Sequence, residues 1–267
     1  MDTSIATTQQ PFMLPGLDGR RALVTGGTRG MGAATADLLA RLGARVLVAA
    51  RSAPDASAHA CVVADAATRD GAKRITDEAI SQLGGADIIV HCVGASLAKP
   101  GGTLALTDDD WELALATNLL AATRIDRALL PGMVERGSGV IVHVSSLQWR
   151  RPHPSSPAYG PAKAALVSYS KMLATEFGPS GIRVAAVTPG FIATSLADER
   201  IERIQRDLGV NRAVAVAHLL DTIGGVPLGR AGTAEEVAAL IAFLASGAAS
   251  YLTGVEVTID GGNLRTL

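Results

Sequence analysis

The sequence predicts a doubly wound α/β fold: one domain with a parallel sheet of about seven strands and helices on both faces. Three observations lead there. Short β-branched apolar runs alternate along the chain with longer stretches of helical periodicity. Most of those runs are continuously apolar rather than alternating, as strands covered on both faces must be. No linker, repeat or low-complexity tract divides the 267 residues, and their 48% apolar content is ample for one buried core.

The elements follow in order. Residues 21–25 (RALVT) form a short apolar run ending in glycines, 31–42 has alanine-rich helical periodicity, and 45–50 (RVLVAA) is again apolar. Strand, glycine turn, helix, strand is a βαβ unit, whose parallel pairing and right-handed crossover are nearly forced. The pattern repeats with a strand at 60–64 (ACVVA), a helix at 70–83 and a strand at 86–90 (ADIIV). A long helix is expected over 107–130, with Thr107 and Asp110 as a capping pair. A strand at 140–145 (VIVHVS), a helix at 158–177, a strand at 183–188 (RVAAVT), a helix at 234–245 and a strand at 256–259 complete the pattern. Pro161 fixes where the 158–177 helix starts, because proline is tolerated only in a first turn, where its missing N–H had no intrahelical partner. Onset at 157–159 places Tyr159 at the carboxyl edge of the sheet, where open α/β sheets bind ligands.

Composition narrows the function. The 24 basic and 25 acidic residues balance, which argues against a nucleic-acid surface or a polybasic membrane patch. No uncharged apolar run approaches the roughly 20 residues of a membrane span. Two cysteines, Cys61 and Cys92, make no disulfide framework and suit a reducing compartment. The opening residues lack a basic segment followed by an apolar core. Residues 1–16 are therefore expected to form a flexible arm, residues 17–267 the single domain, and the protein is expected in the cytoplasm.

Two constellations carry chemistry. The first, Thr25-Gly26-Gly27-Thr28-Arg29-Gly30-Met31-Gly32, joins the first strand to the first helix. Glycines at 26, 30 and 32 permit a tight turn, approach to a pyrophosphate and close helix–strand packing, while the helix N-terminus offers unpaired N–H groups. The G-x-x-x-G-x-G spacing differs from the usual G-x-G-x-x-G of dinucleotide folds. The second is Tyr159 and Lys163, four residues apart on one helix face with Cβ atoms about 5–6 Å apart. A nearby ammonium favours phenolate and is expected to lower the tyrosine pKa from about 10, making a proton donor usable at neutral pH. Ser146, thirteen residues before Tyr159, is placed to bond the oxygen whose proton the tyrosine gives or takes. A lone Tyr-x-x-x-Lys also occurs by chance, as an interfacial tyrosine beside a solvated lysine.

In order, the chain carries TGGTRGMG, Asn118 in a long helix, Ser146, Tyr159 and Lys163, then Pro189-Gly190 after the next strand. With these motifs and intervals it resembles the classical short-chain dehydrogenase/reductases over about residues 17–262. The resemblance implies a single Rossmann-type domain and NAD(P)-dependent hydride transfer between a nicotinamide and a ketone or secondary alcohol. It implies that Tyr159 is the proton donor or acceptor and that Lys163 binds the nicotinamide ribose and lowers the tyrosine pKa. Ser146 would orient the carbonyl, with Ser145 as its rival in the less favourable interval, and Asn118 would hold a water in a proton relay. Asp65 matches the position that contacts the adenine amino group, with Ala66 beside it. Thr194 matches the residue that bonds the nicotinamide carboxamide, together with the Ile192 backbone. Cofactor choice follows from charge. An NAD enzyme commonly ends its second strand with Asp or Glu, which repels a 2′-phosphate. Here Ala50 and Arg51 stand there, with Arg29 before Gly30, and two guanidiniums without a carboxylate suit NADP(H). Solvated arginines would leave NAD(H) usable.

One departure concerns His91-Cys92-Val93-Gly94, where the family usually has Asn-Asn-Ala-Gly. Gly94 keeps the backbone open to cofactor; the lost asparagines would have bonded neighbouring strands, so the change is expected to be structural. No metal site is expected, and Cys92 reads as a small buried hydrophobe. Two segments are expected to shape the substrate pocket. One is 147–157, with Gln148, Trp149 and His153 in the pocket, core packing being the alternative for Trp149; Arg150 and Arg151 are expected to be solvated, binding of a substrate carboxylate or phosphate being their alternative. The other is 191–226, starting at Phe191 and serving as a lid over the nicotinamide. The Tyr251–Gly254 segment and the last strand resemble a subunit contact, so a homotetramer is expected, with a dimer as the alternative. The expected partner is a small carbonyl or alcohol, 3-oxoacyl thioesters and sugars included; a catalytically idle dinucleotide-binding module is the rival reading. A hydrolase is set aside, because Ser146 lacks the G-x-S-x-G elbow.

Overall fold

The computed structural model describes residues 14–53, 58–96, 101–154 and 156–265. Seven strands form one sheet in the order β3-β2-β1-β4-β5-β6-β7: β1 (Arg21–Thr25), β2 (Arg45–Ala50), β3 (Ala60–Val63), β4 (Ile88–His91), β5 (Gly139–Val144), β6 (Ile182–Pro189) and β7 (Val255–Ile259). Every pairing is parallel. Because β1 lies between β2 and β4, the strand order reverses there, and a crevice opens at the carboxyl ends of β1 and β4.

Adjacent residues of each strand serve opposite faces, which explains the unbroken apolar runs. Val24, Val48, Val90, Val142 and Val187 pack under α1 (Gly30–Arg41) and α8 (Ala234–Ala245). Leu23, Leu47, Ile89, Ile141 and Val184 pack under α2 (Arg69–Leu83), α4 (Ala121–Arg136) and α5 (Tyr159–Phe177). Of the expected arm, residues 1–13 lie outside the described residues; Leu14 packs on the core, and Pro15 O accepts from Gly247 N at 2.7 Å. The 191–226 segment contains two helices, α6 (Ser195–Leu208) and α7 (Arg212–Thr222), sharing a small core of Ile201, Ala215 and Leu219.

The helix expected over 107–130 is corrected in two ways. It consists of α3 (Asp108–Leu115), a wide π turn at Ala116–Leu120, and α4, which runs on to Arg136. The Thr107–Asp110 capping box is present at its start. Pro131 lies inside α4. An interior proline costs about 3 kcal/mol. Burial of Ile125, Leu129, Leu130 and Met133 outweighs it, at about 1.5–3 kcal/mol each. Pro161 sits in the first turn of α5, as its missing N–H requires.

At the amino edge of the sheet, Asp87 gathers three arginines. It accepts from Arg21 Nε at 2.9 Å and from the Arg21 backbone N at 3.1 Å, with Arg136 Nε 3.4 Å away and Arg20 Nε 4.0 Å away. Burial raises the Asp87 carboxyl, but hydrogen bonds and charge from Arg21, with Arg20 beyond, hold it at about 2.

Candidate active site

The glycine turn is a cradle that side chains would fill. Gly26 and Gly30 have positive φ, +68° and +53°. A Cβ on Gly32 would lie 2.1 Å from Gly26 O, so α1 meets the turn backbone to backbone. Arg29 caps α1 without a side-chain bond, which leaves the first-turn N–H groups open toward the crevice. Met31 packs into the core beneath, and Thr28 is half-buried. The chain after β6 overhangs this turn: a Cβ on Gly30 would sit 3.5 Å from the Thr194 methyl. That overhang is held by Gly190 N donating to Ile259 O at 2.9 Å and Ala193 N to Gly232 O at 2.8 Å, with Ile192 bridged to Gly232 and Pro189 paired with Ile259. Arg29 and Arg51 are exposed, and neither forms an ion pair among the described residues. Asp65 is exposed and accepts from Ala67 N at 2.9 Å, while Ala66 is buried in the core.

Beside the cradle stand the polar side chains. Tyr159 opens α5, and Ser146, which follows β5, acts on its phenol. Ser145 points elsewhere, donating from Oγ to Lys163 O at 3.2 Å, so Ser146 is the serine that faces the phenol. Lys163 is 2% exposed; its Nζ lies 5.9 Å from the Tyr159 ring centre and donates to Val144 O at 2.8 Å. The expected lowering of the tyrosine pKa is not met. Burial pushes the Tyr159 phenol up, and only the Ser146 hydrogen bond acts against it. The lysine shifts instead, lowered to about 8 by its own burial, with Cys92 acting the other way. Asn118 falls in the π turn, 2% exposed. Its side chain accepts from Ala95 N at 3.1 Å and donates to Ala95 O at 3.0 Å and Ala114 O at 2.9 Å. A Cβ on Gly94 would lie 3.0 Å from Lys163 Nζ and 3.2 Å from Asn118 Oδ1.

The expected pocket residues take different partners. Gln148 Oε1 accepts from Ser156 Oγ at 2.7 Å. Trp149 is fastened to the sheet, its Nε1 donating to Thr188 Oγ1 at 3.3 Å and Glu256 Oε1 at 3.2 Å. Arg150 and Arg151 are not simply solvated: Arg150 stacks on Trp149 at 4.7 Å and pairs with Glu256, and Arg151 donates to Ile223 O at 2.8 Å. His153 is exposed. Phe191 packs under α6 and α7 with Ile201 and Leu219.

At the end of β4 the His91 ring bonds Asp126 of α4, and Asp126 also holds His143 of β5. Spacing could not reveal this trio, because three elements far apart in sequence supply it.

The comparisons with known proteins agree with this geometry. The family model described as Enoyl-(Acyl carrier protein) reductase matches residues 26–263. The chain is 33% identical to an uncharacterized short-chain type dehydrogenase/reductase of Sinorhizobium fredii, over 93% of this chain and 98% of that one. It is 34% identical to the 3-oxoacyl-acyl-carrier-protein reductase of Pseudomonas aeruginosa, over 92% and 98%. In structure it is similar to L-sorbose reductase from Gluconobacter frateurii, solved with NADPH and L-sorbose, with a TM-score of 0.89, 31% identity, and coverage of 96% and 100%.

Proposed function

The chain belongs to the short-chain dehydrogenase/reductase family of oxidoreductases, and from that premise we propose that it interconverts a ketone and a secondary alcohol with NADP(H) in preference to NAD(H). The observation that carries the reading is the grouping of Ser146, Tyr159 and Lys163 beside the glycine cradle at the carboxyl edge. The bound nicotinamide supplies or accepts the hydride. Tyr159 gives its hydroxyl proton to the substrate oxygen in reduction and takes it back in oxidation. Ser146, on the same hydroxyl, orients that oxygen. Lys163, whose pKa burial lowers to about 8, leaves the Val144 carbonyl for the nicotinamide ribose and offsets the charge of the phenolate. Asn118, fixed to Ala95, holds the relay water.

Gly26, Thr28, Arg29, Gly30, Met31 and Gly32 form the cradle that fits a pyrophosphate. Asp65 and Ala66 fall to the adenine, and Gly94, Pro189, Gly190, Ile192 and Thr194 to the nicotinamide half. The open α1 N-terminus and the exposed Arg29 and Arg51, without ion pairs among the described residues, support a 2′-phosphate on the ribose. Gln148, Trp149, His153 and Phe191 border the substrate under an α6–α7 lid. We place the enzyme in the cytoplasm as a homotetramer, with the half-buried edge strand β7 and the exposed Tyr251 as contact surface.

A paired fluorescence titration with NADPH and NADH tests the cofactor. NADPH is expected to bind at least about tenfold more tightly, roughly 1.4 kcal/mol; equal binding would mean that Arg51 takes no part. A ketone panel with NADPH, including a 3-oxoacyl thioester and a keto-sugar, then assigns the substrate class. Cofactor binding with no turnover across the panel would favour the idle module.

A further inference from the structure

Three polar side chains interrupt the apolar layer between the sheet and α4. His91 and His143 are direct partners in the β4–β5 register, and Asp126 stands opposite them on α4 among Ile125 and Leu129. Asp126 and His143 are 0% exposed and His91 3%. Asp126 Oδ1 lies 2.8 Å from His91 Nε2, and Oδ2 lies 3.1 Å from His143 Nε2. The two rings stack 5.2 Å apart and 12° from parallel, and the Tyr169 ring covers His143 at 5.6 Å.

The chemistry of the trio follows from donors and acceptors. Burial raises the Asp126 carboxyl, but the charge of His91 and hydrogen bonds from both histidines hold it below the ordinary carboxylate range, so it is ionised and only accepts. Both Nε2 atoms must then carry the shared protons. The Nδ1 of His91 meets Thr25 Oγ1 at 3.4 Å, whereas that of His143 is buried with no partner among the described residues. These spacings suit N–H···O bonds. Ligand atoms about 2.0–2.1 Å from one tetrahedral zinc ion would stand farther apart, at about 3.3 Å.

The trio grips the two strand ends from which the site hangs. Beyond His143, Val144 O receives Lys163 Nζ, Ser145 Oγ holds Lys163 O, and Ser146 meets Tyr159. Beyond His91, Gly94 leaves room for the Lys163 tip, which a Cβ there would meet at 3.0 Å, and Ala95 is clasped by Asn118. We propose that Asp126 is a positioning residue, a buried staple that fixes the ends of β4 and β5 and thereby the places of Lys163, Asn118 and Ser146. The proposal rests on the oxidoreductase reading above.

The test compares Asp126→Leu and Asp126→Asn in the cofactor-loaded enzyme. Leucine fills the apolar layer but leaves two buried imidazole N–H groups without their acceptor, so the protein should still fold with a lowered melting temperature, with cofactor affinity and KM within about twofold and kcat down about tenfold. Asparagine, whose oxygen still accepts one imidazole N–H, should recover kcat to within about threefold. Unchanged kcat in Asp126→Leu, no recovery with asparagine, or joint loss of cofactor binding and cooperative melting would each overturn the proposal. Stoichiometric zinc in the purified protein would do so too. A readout independent of turnover separates this failure from failure of the oxidoreductase reading. The wild type should show two slowly exchanging, far-downfield imidazole N–H resonances that vanish in Asp126→Leu, and their absence from the wild type removes the staple whatever the activity.

Discussion

At the amino edge of the sheet, Arg21 at the start of β1 forks onto Asp87 just before β4, with Arg20 and Arg136 alongside; at the carboxyl edge of the same two strands, Thr25 and His91 stand side by side, enclosed. The first group is partly wet, and each charge has an opposite charge in contact. The second is dry, and its cation, Lys163, has among the described residues only a backbone carbonyl for an acceptor. A charge that is already paired can hold strands together but has nothing left to offer a ligand. A buried ammonium on a carbonyl is held loosely enough to be redirected, and its depressed pKa records the burial that leaves it so.

That contrast can be broken most decisively at Tyr159. Tyr159→Phe should lower kcat by about 10²- to 10⁴-fold while leaving NADPH affinity and the melting temperature nearly unchanged; steady-state kinetics and a fluorescence titration on one preparation check it. Equal turnover would strip the carboxyl edge of its catalytic role. Gly94→Ala sharpens the contrast. Its new methyl would press on the flexible tip of Lys163 and on Asn118, so kcat should fall by about 10- to 100-fold with little change in thermal stability.

Asp87→Ala is the smallest and opposite effect: kcat unchanged and stability lower by about 1–2 kcal/mol near neutral pH, a figure kept small because Arg20 and Arg136 are 31% and 34% exposed and screened. The folded Asp87 carboxyl sits at about 2, below its ordinary 3.8. Its contribution is therefore complete above about pH 4 and fades as pH falls through 2, so denaturation curves of the two proteins should converge in acid.

The same contrast shows what the sequence made legible. The seven strands, the glycine turn and the onset of α5 at Tyr159 were readable because each is written locally, in apolar runs, glycines and a proline. Thr107–Asp110 was readable for the same reason. The helix end expected at Leu130 falls short of Arg136, because the burial of Met133 and its neighbours is a tertiary effect that overrides a local breaker, Pro131. The tyrosine pKa was misjudged because helix spacing brings Lys163 near the ring but does not decide which acceptor its ammonium takes. Arg150 and Arg151 found partners more than seventy residues away, and the Asp126 trio joins three elements that no spacing rule connects.

The π turn at Ala116–Leu120 has a consequence for how this protein tolerates length changes. A wide turn stores one extra residue, and each residue advances an α-helix by about 100°. Deleting a single residue there would leave a smoother, more regular helix, yet would rotate everything downstream by that angle. Asp126 would swing away from both imidazoles, and Ile125, Leu129 and Met133 would turn off the sheet. The irregular turn is the phase setting of α4, so a one-residue deletion at this spot should be far more damaging than most substitutions around it.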